Sequence, residues 1–138
     1  MALSLMAGAS QLANAQQKQT KKSGAEDQAL IERGRYIVEN VAMCERCHTA
    51  RDENGNPDRA HWLMGGPITV RPAYSAPNWA FVEPRLAGSP PGTDAEFIRL
   101  LTTGISRTGA PPKPPMPPFR MTRQDAESVL AYLKSLTH

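Results

Sequence analysis

Three helical segments, no confident strand and a heavy load of loop-forming residues predict a small all-α domain. The chain has 138 residues, the length of a single domain. It carries 13 prolines and 10 glycines against 2 tryptophans, 3 tyrosines and 3 phenylalanines. That balance implies short helices, long Pro/Gly-rich loops and a thin core. Thin cores lean on a metal, a disulfide or another covalent staple.

The first helix is expected in "DQALIERGRYIVENVAMC", where Leu30, Ile31, Val38 and Val41 recur near helical spacing with Gly34 and Tyr36 between them. A second lies in "GTDAEFIRLLTTG". There Thr93 and Glu96 form a capping box, Gly104 ends the helix, and Phe97, Leu100 and Leu101 face inward. The last helix starts at the N-cap Thr122, with Asp125 three positions on. Its apolar stripe is Ala126, Val129, Leu130, Leu133 and Leu136, with Tyr132 close by. The chain contains no internal repeat.

Ahead of these helices, residues 1–15 read as a signal peptide. "MALSLMAGASQLANA" is apolar, lacks a basic leading region, and ends in Ala13-Asn14-Ala15, a small-x-small cleavage pattern. It is too short to span a bilayer. Residues 16–25 are polar and lysine-rich and are expected to be a disordered linker. The domain proper is then 26–138, and the reading places it outside the cytoplasm, in the periplasm. The net charge of +3 is mild, and no basic block alternates with aromatics, so nucleic-acid binding has no support.

Both cysteines of the chain lie in "MCERCHTA", residues 43–50. A Cys44–Cys47 disulfide would close so short a loop that it would staple almost nothing. A redox-active pair normally follows a strand and opens a helix, whose N-terminus stabilises the thiolate; here an apolar helix precedes the cysteines instead. Zinc would need a fourth ligand soon after His61, where the sequence reads "WLMGGP". What remains is covalent haem attachment, for which C-x-x-C-H is the signature. Two thiols two residues apart can reach two vinyl groups of one porphyrin. The adjacent His48 then lies beneath the ring and can bind iron.

Haem iron in an electron carrier usually has a second axial ligand. Met116 stands in "PPKPPMPPFRM", where prolines hold the backbone rigid ahead of the last helix. Met121, His61, His138 and an open site are the alternatives, and a purely packing role for Met116 is another.

At this point the chain resembles class I c-type cytochromes of the bacterial periplasmic monohaem kind. The resemblance rests on "GRYIVENVAMCERCH", on "GGP" at 65–67 and on "PPMPPFRMTRQDAESVLAYLKSL". It implies one covalent haem c on Cys44 and Cys47, with iron bound by His48 and Met116. It implies a crossing of the first and last helices, matched by Gly34, Tyr36 and Tyr132. It also implies that Pro67 provides the carbonyl that orients His48. The segment from 52 to 90 is longer than compact members need and resembles cytochromes that serve dehydrogenases. Asn78, Trp79 and Arg85 are candidates there for propionate contacts, with ordinary loop packing as the alternative for each.

The function so implied is one-electron transfer through an exposed haem edge. Six-coordinate iron has no site for substrate, so the resemblance points to a carrier and not an enzyme. Partners would be a dehydrogenase, an oxidase or another cytochrome. The same domain as a fixed subunit of such a complex, and a haem sensor or enzyme with an open iron site, are the alternatives.

Overall fold

The computed structural model describes residues 6–137. In chain order it contains α1 (Met6–Tyr36), a π-turn (Ile37–Val41), α2 (Glu45–His48), a 3-10 turn (Arg59–His61), β1 (Gly66–Pro67), β2 (Val82–Glu83), α3 (Asp94–Thr103) and α4 (Arg123–Ser135). Helices dominate, as the sequence predicts. The structure adds the short α2, the two tighter or wider turns and a two-stranded antiparallel ladder, β1 with β2, that pairs Gly66 with Glu83 and Pro67 with Val82.

The expected signal peptide falls partly outside the described residues, and His138 lies outside them altogether. Residues 16–25, expected as a disordered linker, instead continue α1 with every side chain exposed. Lysine, glutamine and alanine are good helix formers, and a Lys22–Glu26 pair at 3.8 Å adds local support. This part of the helix holds itself by propensity and that local pair.

Packing starts further along. α1 crosses α4 where Gly34 is buried, and a Cβ there would collide with the carbonyl of Ser128 and stand 2.8 Å from Tyr132 Cβ. The bare backbone lets the helices approach that closely. Tyr36 does not join this contact: it is half exposed, with the Arg33 guanidinium 5.9 Å from its ring centroid. Tyr132 does join it, and its hydroxyl donates to Glu39 Oε1 at 2.6 Å. Burial, then that hydrogen bond, pushes the phenol up to about 12. Arg33 and Asp125 add an ion pair at 3.0 Å across the same crossing.

The π-turn shifts the phase of the first helix. Ala42 N donates to Ile37 O at 2.8 Å, five residues back, in place of the usual four. Ile37 and Val38 therefore turn into the core, while Val41, placed on the stripe by simple periodicity, is exposed. Both later helices start as their sequences predict. Thr93 and Glu96 form a reciprocal capping box, and Gly104 closes α3 in the left-handed conformation at φ +66°. Thr122 caps α4 by accepting from Asp125 N. Phe97 and Leu101 of α3 pack with Ala126, Val129, Leu130 and Leu133 of α4, and the core is completed by Trp62, Leu63, Leu86 and Ala87 from the loops. Three bonds fix that loop layer: Leu63 O accepts from both Leu86 N and Ala87 N, and Gly88 N donates to Leu133 O at 2.7 Å.

Because the collision at Gly34 is with backbone, it cannot be relieved by a rotamer change. Gly34→Ala is expected to cost about 3 kcal/mol and to lower the melting temperature of the haem-loaded protein by roughly 10 °C. A circular-dichroism melt checks this, and an unchanged Tm would rule out so close a crossing.

Candidate functional site

The π-turn delivers the chain into the site. Cys44 N donates to Val38 O at 3.0 Å, and Met43, at φ +50°, reverses the backbone so that Cys44 can cap α2. His48 N donates to Cys44 O at 2.9 Å, one helical turn. That single turn brings Cys44, Cys47 and His48 onto the wall of one cavity. The cavity holds about 560 Å³ of space, part of it open to solvent, and is otherwise walled by apolar side chains. Phe97 and Leu101 come from α3, Val129 and Leu133 from α4, and Met116, Pro117, Phe119 and Met121 from the proline-rich loop. The apolar lining suits a large flat ligand.

His48 is buried, and its Nδ1 donates to the carbonyl of Pro84 at 2.8 Å. Burial lowers the imidazole pKa and the Pro84 carbonyl opposes that only in part, so the ring is neutral near pH 7. A neutral ring with its proton on Nδ1 presents a lone pair on Nε2, the form an iron ligand needs. This corrects the expectation for Pro67. Pro67 sits in β1 opposite Val82, while the residue whose carbonyl holds the ring is Pro84, two positions past that pair. The backbone near Pro67 is used differently: Gly65 N donates to His48 O at 2.8 Å.

The thiols are of the unreactive kind. Burial pushes Cys44 up to about 12. Cys47 is also raised, by burial first and by the Glu83 charge second. A dithiol redox centre needs the opposite shift, toward the thiolate.

Met116 lines the cavity, as does its rival Met121. Met121 is tied to the core, its N donating to Leu101 O at 2.9 Å, whereas Met116 N donates to Lys113 O within its own loop. His61 is away from the cavity, its Nδ1 2.6 Å from Asp58 Oδ2 at the surface. The propionate candidates stand apart from the cavity wall. Trp79 Nε1 donates to Val70 O at 3.2 Å and Arg85 Nε to Ala87 O at 2.6 Å, so both brace loops. Asn78 faces a separate hollow with Ser106, Thr108 and Lys113. None of the three lines the cavity.

A residue that the sequence reading passed over stands beside His48. Glu83 is buried, with Oε2 3.9 Å from His48 Nε2 and Oε1 without a hydrogen-bond partner. Burial pushes its carboxyl up, and no neighbouring cation offsets the shift. One sequence signal could have found it: Glu83 is the lone acidic residue between Asp58 and Asp94.

Two thiols, a neutral imidazole and an apolar slot are the donor set for a covalently held haem. The cytochrome c family model matches residues 31–137. The chain belongs to the cytochrome c family. A "Diheme cytochrome c-type" protein of Cereibacter sphaeroides is 53% identical over 36 residues, which cover 26% of this chain and 12% of that protein. The family is one of haem-based electron transfer, and Cys44 and Cys47 fit its attachment motif. Among the described residues no helix is long and apolar enough to cross a membrane.

Attachment through two thioethers is directly testable. After expression with haem-maturation machinery, acid–acetone extraction is expected to leave haem on the wild-type chain and to remove it from the Cys44→Ala, Cys47→Ala double variant. Extractable haem in the wild type, by absorbance of the organic phase, would contradict attachment at these thiols.

Proposed function

We propose that this cytochrome is a periplasmic one-electron carrier with a single haem c, His48 and Met116 as its axial ligands. The observation that carries the reading is one apolar cavity whose wall includes Cys44, Cys47, His48 and Met116 together. When bound, haem c supplies an iron that alternates between ferric and ferrous. Cys44 and Cys47 hold it in register. His48, its Nδ1 proton given to Pro84 O, offers Nε2 to the metal. Met116 offers a soft thioether, which favours the ferrous state and raises the potential relative to two histidines. Phe97, Leu101, Val129 and Leu133 exclude water from the ring faces. With both axial positions filled no substrate can reach the metal, which supports a carrier and not an enzyme. One C-x-x-C-H motif supports one haem, and the Ala13-Asn14-Ala15 pattern supports export.

A second reading, a fixed subunit of a dehydrogenase or oxidase complex, is favoured by one observation. Val70, Tyr74 and Phe81, between β1 and β2, and Val82 at the start of β2 all expose more than half of their surface. Stable co-purification with an oxidoreductase would favour the subunit; an isolated soluble holoprotein that exchanges electrons in solution would favour the carrier.

The ligand assignment is decided by two variants measured together. In the ferric protein, Met116→Ala is expected to abolish the weak far-red sulfur-to-iron band and to lower the midpoint potential. Met121→Leu is expected to leave both nearly unchanged, because it substitutes one packing side chain for another of similar volume. The reverse pattern would assign Met121 as the ligand, and absence of the band in the wild type would leave the sixth position open or nitrogen-ligated.

A further inference from the structure

A buried carboxylate with no partner is costly, and each such group in a native protein calls for a reason. Glu83 is 6% exposed, Oε1 has no hydrogen bond, and among the described residues no lysine or arginine is paired with it. Packing does not require a charge there; leucine or glutamine would fill similar space without the desolvation penalty. What distinguishes the position is its neighbour. Oε2 lies 3.9 Å from Nε2 of His48, the ring nitrogen left free by the bond to Pro84. The backbone holds it there firmly, since β2 pairs Glu83 with Gly66 and the next residue supplies the carbonyl that clamps the ring.

We propose that Glu83 is a potential-setting residue, a carboxyl beside the proximal ligand whose negative charge favours ferric over ferrous iron. The inference rests on haem iron being bound by His48. Ferric iron carries one more positive charge than ferrous, so a nearby carboxylate stabilises it selectively. In a water-poor site the interaction is weakly screened. It acts against the upward pull of a thioether ligand. The carboxylate neither binds nor releases anything in this role, and one electron is exchanged with the partner as before.

The test uses the haem-loaded wild type and three variants, each first assayed by pyridine haemochrome for one haem per chain, then titrated with redox mediators. In Glu83→Gln the ferric-to-ferrous ratio at the wild-type midpoint should fall about tenfold, an upward shift of about 59 mV for one electron. Glu83→Leu should move the same way. Glu53→Gln, which removes an exposed charge, should leave the midpoint in place. Haem retained with no shift in either Glu83 variant overturns the proposal while leaving the cytochrome reading intact. Loss of haem from both variants overturns it as well, because Glu83 would then be structural. A wild type without covalent haem would instead sink the ligand assignment on which the inference stands.

Discussion

The hydrogen bond from His48 Nδ1 to Pro84 O, 2.8 Å long, joins residues 36 positions apart and organises the domain around it. At one end it selects the tautomer, leaving Nε2 with a free lone pair. At the other it anchors the returning strand of the long excursion. Leu86 and Ala87, immediately after Pro84, bond to Leu63 O, and Gly88 reaches α4 through Leu133 O. Ligand orientation, loop layer and last helix are thus one connected unit. Loss of that carbonyl would free the imidazole to rotate and would loosen the loop layer that closes the core.

The second requirement is the close crossing of α1 on α4 at Gly34. It brings Ile37 and Val38 against the residues of α4 that also wall the cavity. The apolar wall is therefore shared between protein core and ligand slot. A domain with so few aromatics can accept this arrangement because the prosthetic group fills volume that side chains would otherwise occupy. Exposed ion pairs such as Lys134–Asp94, at 2.6 Å, add little by comparison.

Much of this was legible in the sequence, for reasons that are local. Thr93, Glu96, Gly104 and Thr122 mark helix ends by chemistry that acts within one turn, and C-x-x-C-H packs its three functional atoms into one turn as well. What escaped depended on pairing across distance. Pro67 and Pro84 are equivalent on paper, and the strand register between β1 and β2 alone decides which carbonyl meets His48. Asn78, Trp79 and Arg85 looked available because the loop bonds that occupy Trp79 and Arg85 join backbone atoms invisible in the sequence. Val41 was placed inward because an unbroken 3.6-residue period was assumed where the helix widens. Glu83 carried no pattern of its own; its meaning comes from the histidine it faces.

That widened turn has a further consequence. Gly34 must face α4, whereas Cys44, ten residues later, must face the cavity, and the two directions are set by different partners. A strictly regular helix would lock them together at 100° per residue. The Ile37–Val41 turn takes up one residue of slack and lets each end keep its own heading, like a spacer between two keyed shafts.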